Sequence, residues 1–284
     1  MKHMPSSTSG IRPLNTSAST HFVRFAPDPR PDGKIAPLLI YFPGLDETGE
    51  DLISLEMNGF KQDFDVRGLI IPSGDLDDWD DLAAAAIALT RQVIAQMPRE
   101  TSVCLCAESF GGCLGLRVLE QAPDLFDRVI LINPASSFRD VWWLDLGAQL
   151  MPIVPDFVFD QPSDWLVFFL APLHRISEEA RRALAKSTQD APKETLVKRL
   201  DLMRNFSVNA DLLGQVSCPV LLVGSRCDRI LPSVAEVQRL KQFFWKAQVA
   251  ILPHSGHACL TETDVNLDEI MRAHHLMPDC LMPD

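Results

Sequence analysis

Six short runs of aliphatic and β-branched residues, at 37–42, 67–71, 102–106, 128–132, 219–223 and 248–252, carry no alternation of polar and apolar positions. A strand with one wet face alternates, so runs like these belong to strands buried on both faces. Helical stretches separate them, and the chain is expected to fold as a mostly parallel sheet covered on both sides by helices. The clearest helix is Asp80 to Met97, with Asp75, Asp77, Asp78, Asp80 and Asp81 crowded at its start. Negative charge is favoured there by the helix dipole. No neighbouring turn supplies Gly and Glu at calcium-loop spacing, so a metal site is the weaker reading of this run. His21 to Phe25 is expected as an added edge strand, followed by a Pro/Asp/Gly turn region over 26–34.

The alternation of strands and helices breaks between Asn133 and Gln215. That interval has no strand signal, holds Phe138, Trp142, Trp143, Phe157, Phe159, Trp165, Phe168 and Phe169, and is cut into short pieces by prolines 152, 155, 162 and 172. A helical cap inserted over residues 140–215 is expected, with the sheet domain formed by 21–139 and 216–272. A piece of about 80 residues does not easily hide so many aromatics against itself. They are therefore expected to line an apolar pocket at the seam of cap and core, with Trp165 and Phe169 as walls. Residues 1–20 read as a disordered tail and 273–284 as a frayed end.

Hydrophobic residues make up 46% of the 284 and charged residues 23%, a profile that sustains a core without staples. A formal net charge of −12 excludes a nucleic-acid backbone as partner, because that needs clustered Lys and Arg. Seven cysteines form neither a CxxC pair nor a Cys/His cluster at zinc spacing. Cys104 and Cys106 share one strand face and read as small core residues, as Cys113 does in the following helix; reduced thiols are expected. No metal or cofactor is expected. The first 20 residues lack an apolar signal-peptide core, which argues against secretion, and their lack of acidic residues admits an organellar transit peptide. A cytoplasmic or plastid, thylakoid-associated location follows, with transient membrane contact through the cap.

Ala107-Glu108-Ser109-Phe110-Gly111-Gly112 follows the apolar run at 102–106 and precedes a helical stretch. It is a G-x-S-x-G nucleophile elbow with Ala107 at the first glycine. A serine on such a turn has its hydroxyl pushed out of the sheet, and the helix start aims free N–H groups at an anion forming beside it. The run at 219–223 leads into a loop with Asp228, and the run at 248–252 leads into His254-Ser255-Gly256-His257. Serine, acid and histidine in this chain order are the α/β-hydrolase arrangement. Ser109 is the expected nucleophile, His257 its base and Asp228 the carboxylate that orients the imidazole. His254 competes with His257; Ser-Gly-His favours the latter by letting the backbone turn tightly. Asp140 and Asp201 compete with Asp228, which could instead be a loop aspartate paired with Arg226 or Arg229. Glu108, beside the serine, reads as a buried or rim carboxylate paired locally. The backbone N–H groups of Leu45, after Pro43-Gly44, and of Phe110 are the expected oxyanion donors. Asp46, next to the first, is electrostatically unwelcome unless it points away.

Tyr41-Phe42-Pro43-Gly44-Leu45-Asp46-Glu47-Thr48-Gly49, Glu108-Ser109-Phe110-Gly111-Gly112, Asn133-Pro134-Ala135-Ser136-Ser137-Phe138 and Leu231-Pro232-Ser233-Val234 resemble blocks of the phytyl ester synthase/diacylglycerol acyltransferase-like proteins of plastids and cyanobacteria. The resemblance runs from about residue 37 to about 262. It implies an α/β-hydrolase fold, acyl-lipid ester substrates, and Ser109, Asp228 and His257 as the matching triad positions. Ala107 and Glu47 depart from the family's pattern. The plant members also carry a further acyltransferase-like domain with an H-x-x-x-x-D motif; His274 and Asp279 have that spacing by coincidence. Hydrolysis of carboxylic esters through an acyl-enzyme is the expected activity. Transfer to an alcohol, a small-ester or thioester hydrolase, and a catalytically silent ligand receptor are the alternatives.

Overall fold

The computed structural model describes residues 23–26, 36–45, 50–60, 62–72, 74–75, 77–155, 164–190 and 192–281. Among the described residues seven strands form one sheet: β1 (Arg24–Ala26), β2 (Leu38–Phe42), β3 (Asp65–Ile70), β4 (Val103–Glu108), β5 (Arg128–Ile132), β6 (Val220–Ser225) and β7 (Ala247–Leu252). Their order across the sheet is β1-β3-β2-β4-β5-β6-β7. All pairs are parallel except β1 with β3, which is antiparallel. The edge strand overlaps the expected stretch at Arg24 and Phe25 and runs one residue further, to Ala26, which was expected in the turn; its antiparallel sense was not legible. β2, β3, β4 and β6 are buried at every position, as the missing alternation requires.

The helices are α1 (Glu50–Glu56), α2 (Trp79–Ile94), α3 (Ser109–Gln121), α4 (Trp142–Leu150), α5 (Asp164–Leu170), α6 (Glu178–Asp190), α7 (Lys193–Arg204), α8 (Ala210–Leu213), α9 (Ser233–Leu240) and α10 (Leu267–Ala273). The acidic cluster at 75–81 does start α2: the Asp78 carboxylate accepts from the N–H groups of Asp80 and Asp81. It thereby satisfies two of the helix's orphan donors. Two apolar clusters flank the sheet. One holds Leu38, Ile40, Leu105, Phe110 and Leu131 with α2 and α3; the other holds Leu39, Tyr41, Cys104, Cys106 and Ile130 with α10. Cys104 and Cys106 do share a face, and all seven thiols are free.

Between β5 and β6 the described residues contain helices, short 3-10 segments at Ala135–Asp140 and Met151–Ile153, and no strand beyond the single bridge of Ile176 to Glu262. At the other end, the frayed tail is corrected as far as residue 281. After α10 the chain turns at His275 (φ 53) and inserts Leu276 and Met277, at 0% and 2% exposure, into the second apolar cluster. Two large side chains buried beside Phe60 and Phe64 offset the ordering entropy that a polar tail could not. His274 approaches Gln248 while Asp279 meets Arg128, so the two are held by different elements.

Candidate active site

The chain leaves β2 toward β3 on one side of the sheet, whereas β4 lies on the other side of β2. At such a switch point the loops diverge and open a crevice at the carboxyl ends of the strands. Gly44 and Leu45 follow β2 there, and Ser109 follows β4. Ser109 has φ 53, a left-handed conformation strained for a residue with a Cβ and stored at the elbow. Gly111 allows it: a Cβ on that residue would lie 2.2 Å from the Phe42 carbonyl oxygen and 2.4 Å from that of Pro43. The start of α3 is thus pressed directly onto the end of β2. Gly112 plays the same part toward Pro134, with 2.8 Å to its Cβ.

The structure brings Ser109, His257 and Asp228 together. His257 Nε2 lies 2.8 Å from Ser109 Oγ, and its Nδ1 lies 2.7 Å from Asp228 Oδ2. Asp228 Oδ1 accepts from the N–H groups of Ile230 and Leu231 at 2.8 and 2.9 Å, and the Ser233 hydroxyl donates to Oδ2. Burial pushes this carboxyl up, but His257, Ser233 and the Leu231 N–H outweigh burial and hold it below the ordinary aspartate value. Its rival partners go elsewhere: Arg229 donates to the Phe168 carbonyl and sits over the Phe168 ring, and Arg226 is exposed. His254, Asp140 and Asp201 are exposed and take no part in this chain of bonds. An ionised carboxylate behind an imidazole that reaches a hydroxyl can deprotonate that hydroxyl and stabilise the imidazolium formed.

The tight-turn argument for Ser255-Gly256-His257 is corrected in its reason. Gly256 has no left-handed φ; a Cβ there would lie 2.8 Å from Pro172 Cδ and 2.9 Å from the Leu170 carbonyl oxygen. The loop needs glycine because it runs against the end of α5, where the Ala258 N–H donates to Leu170 at 2.9 Å. Two residues that sequence reasoning missed hold this loop. Asn133, buried at φ 43, donates to the His257 carbonyl at 2.7 Å and accepts from the Ser225 N–H at 2.8 Å. Glu262 accepts from the Gly256 N–H at 2.7 Å and is itself paired with Arg175 at 2.6 Å. An Asn-Pro pair directly after a buried strand was the visible signal for the first.

A cavity of about 170 Å³ opens over Ser109 and His257, lined mainly by aliphatic side chains: Leu45, Leu52, Leu144, Leu170, Leu184, Leu200, Met203, Ile230 and Leu231, with Phe138. The expected aromatic walls are corrected. Phe169 is 38% exposed and meets Phe168 edge-on, while Val167, Leu170 and Ala171 form the inward face of α5. Neighbouring helix residues point about 100° apart, so a helix that buries 167 and 170–171 must turn 168–169 outward. Trp142 and Trp143 also face solvent. The Trp165 side chain, Phe157, Phe159, Asp46 and Glu47 lie outside the described residues.

Leu45 lines the cavity, Phe110 follows Ser109 with its ring buried in the core, and Arg199 of α7 reaches both. Its guanidinium donates to the Leu45 carbonyl at 2.6 Å and the Ile71 carbonyl at 3.1 Å, and lies 5.7 Å from the Phe110 ring centre. Trp79 packs on the same ring at 4.7 Å. Glu108 is buried, lines the cavity and is linked through the Tyr41 hydroxyl to Glu56 of α1. Burial first, and the charge of Glu56 next, push the Glu108 carboxyl well above the ordinary glutamate value.

The comparisons with known proteins agree with this architecture. The family model described as serine aminopeptidase, S33 (Hydrolase_4) matches residues 72–264. Phytyl ester synthase 1, chloroplastic, of Arabidopsis thaliana is 28% identical over 260 residues, covering 84% of this chain. The chain spans only 36% of that protein's length. The pimeloyl-[acyl-carrier protein] methyl ester esterase of Nitrosomonas europaea is 29% identical over 178 residues, or 60% of this chain and 69% of that one. Among solved structures, a thermophilic esterase from Thermogutta terrifontis superposes with a TM-score of 0.62 at 16% identity, covering 84% of this chain and 88% of its own. With a family model matched over residues 72–264, which hold four strands of the sheet and the helical segment between β5 and β6, the chain belongs to the Hydrolase_4 (serine aminopeptidase, S33) family of α/β-hydrolases.

Proposed function

We propose that the protein cleaves carboxylic esters of lipid acyl chains, with Ser109 as nucleophile, His257 as general base and acid, and Asp228 as the orienting carboxylate. The observation that carries this reading is the single imidazole bridging Ser109 Oγ and Asp228 Oδ2 on the floor of an aliphatic cavity. With Nδ1–H directed to Asp228, Nε2 takes the serine proton as Oγ attacks the ester carbonyl. Negative charge then develops on the carbonyl oxygen, and the N–H groups of Leu45 and Phe110 receive it. Collapse expels the alcohol, which takes the proton from Nε2, and leaves the acyl group on Ser109. Water, deprotonated by the same nitrogen, releases the acid.

A second reading is favoured by one observation. The similarity to phytyl ester synthase 1, whose name is that of a synthase, suits transfer of the acyl group to an apolar alcohol in place of water. A cavity walled by leucines disfavours water relative to such an alcohol. The same relative is chloroplastic, which supports a plastid location, and the exposed apolar side chains of the cap support brief contact with a lipid surface. No described helix is long and apolar enough to cross a membrane.

Fluorophosphonate labelling tests the nucleophile: rapid modification that Ser109→Ala abolishes is expected. Absence of labelling in the parent protein overturns the catalytic reading and favours a ligand receptor. Product analysis with a fatty acyl ester, with and without phytol or another long-chain alcohol, separates hydrolysis from transfer.

A further inference from the structure

Behind Ser109 lies a buried group that the ester-cleavage steps do not use. The Tyr41 hydroxyl stands 2.6 Å from Glu56 Oε2 and 3.0 Å from Glu108 Oε2. A phenol carries one hydrogen, so it can donate to only one of these oxygens. Two ionised glutamates would leave the other pair of oxygens facing each other without a proton. A second proton on a carboxyl completes the chain. The shorter contact suits O–H donation to a carboxylate, and the longer one a neutral acid donating to the phenol oxygen. This puts the charge on Glu56 and the proton on Glu108.

An independent observation agrees. Of the two carboxyls Glu108 is the more deeply buried, at 2% exposure against 6% for Glu56, and its Oε1 has no hydrogen-bond partner among the described residues. A bare carboxylate oxygen would be costly to bury, whereas the carbonyl oxygen of a neutral acid costs far less.

We propose that Glu108 is a positioning residue that keeps its proton while Ser109 reacts. As a neutral acid it fastens the nucleophile elbow, through Tyr41 on β2 and Glu56 on α1, to the two elements that flank the proposed oxyanion loop, and it keeps negative charge out of the cavity where the oxyanion forms. The proposal rests on the Ser109 reading for its consequence but not for the proton itself. The groups facing Glu108 oppose one another. Glu56 and Asp228 raise its carboxyl and His257 lowers it. A bond donated by Tyr41 would lower it as well, whereas with the Tyr41 hydrogen given to Glu56 the bond that Glu108 donates favours its neutral form. Cys106 on the same strand and Cys259 beyond His257 are thiols whose own ionisation burial suppresses, with Glu108 adding to the effect. Asp228 stays ionised on the other side of the imidazole, so two carboxyl groups near one histidine are held in opposite states by their surroundings.

Infrared spectra of the full chain at neutral pH read the carbonyl stretch of a protonated carboxyl. The parent protein is expected to show this band and Glu108→Gln to lose it, because the amide of the substituted side chain can donate to Tyr41 without any added proton. No band in the parent, or an unaltered band in E108Q, overturns the proposal. Phosphonate labelling of Ser109 supplies the second readout. E108Q is expected to slow it by less than about tenfold, and Glu108→Leu, which loses the tie, by about a hundredfold or more. A collapse in E108Q as deep as in E108L would mean that the charge is required, and would overturn it too. If Ser109 never labels while the band behaves as expected, the ester-cleavage reading fails and the protonated Glu108 stands. Should E108Q not fold, Glu56→Gln decides: removing that charge lets Glu108 ionise at lower pH, and a band that titrates as in the parent overturns the proposal.

Discussion

The Arg199 guanidinium, carried by helix α7, donates to the Leu45 carbonyl oxygen at 2.6 Å and so anchors the residue whose N–H is one proposed oxyanion donor. Its second bond, to Ile71, and its place over the Phe110 ring set one side chain against both residues proposed to supply those donors. Removing it strips charge-assisted bonds from two carbonyls, each worth about 1.5–3 kcal/mol. Arg199→Met is expected to lower kcat by about a hundredfold, the scale of one lost oxyanion donor, with a smaller change in KM. Steady-state kinetics on a soluble ester measures it, and a rise in KM alone would assign Arg199 to substrate binding.

Ser109→Ala and His257→Ala are expected to abolish ester cleavage to a similar residual level, since a nucleophile and its base act as a unit. His254→Ala is expected to leave it intact, because that side chain lies exposed and outside the bonded set. Activity surviving in His257→Ala would refute the assigned base. Circular dichroism of each variant checks that the fold is retained.

Two carboxyl groups of the site should give stability opposite pH dependences. Asp228 is held below its ordinary value. Its contribution is present above the unfolded-state pKa and fades as pH falls through the lower folded value. Asp228→Asn is therefore expected to cost more stability at neutral than at strongly acid pH. Glu108 is held well above its ordinary value. The native state keeps a proton that the unfolded chain releases, so stability falls as pH rises from the unfolded toward the folded pKa. Glu108→Gln should then gain melting temperature relative to the parent as pH rises from acid to alkaline. Parallel melting curves for parent and variant across that range would contradict the direction of the Glu108 shift.

The cavity walls predict a chain-length dependence. Each buried methylene contributes about 0.8 kcal/mol, or roughly fourfold in kcat/KM while the groove has room. Leu144→Trp and Leu170→Trp, which fill the cavity, should move the optimum of a p-nitrophenyl ester series toward short acids. Phe169→Ala should not shift it, because that ring lies outside the cavity. Equal rates from acetate to palmitate in the parent would favour a small-ester hydrolase.

The outward face of the cap carries a separate expectation. Trp142 and Ile153 are 73% and 75% exposed, with Leu146 and Leu150 beside them, on elements that also supply Leu144 to the cavity. Trp142→Ser with Ile153→Ser should weaken partitioning onto zwitterionic lipid vesicles, read by sedimentation, by about a hundredfold or more, each large apolar side chain contributing about 1.5–3 kcal/mol when buried. Cleavage of a short soluble ester should be unaffected. Binding to vesicles at the parent level would remove this face from consideration.

What one strand or one loop decides was readable in the chain itself. Missing alternation marked β2 to β7 as strands, and β2, β3, β4 and β6 are buried throughout. β7 is not doubly buried as its apolar run implied: it lies at the sheet edge, where Gln248 is exposed and only Ala250 is buried. Ser109, Asp228 and His257 were nameable because an elbow, a chain order and strand ends are local signals, although only the folded chain sets them 2.8 and 2.7 Å apart. What depends on one element packing against another was not legible. Ala107 stands where the elbow has its first glycine, and the room for it comes from Gly115 on α3, whose added Cβ would lie 3.1 Å from Ala107 Cβ. Arg199 lies 154 residues from Leu45, Asn133 lies 124 from His257, and Glu108 lies 67 from Tyr41. The aromatic-rich segment illustrates the same division. Composition set its apolar character, but helix phase sent Phe168 and Phe169 outward and Leu170 inward, and phase is chosen only when the cap packs on the core.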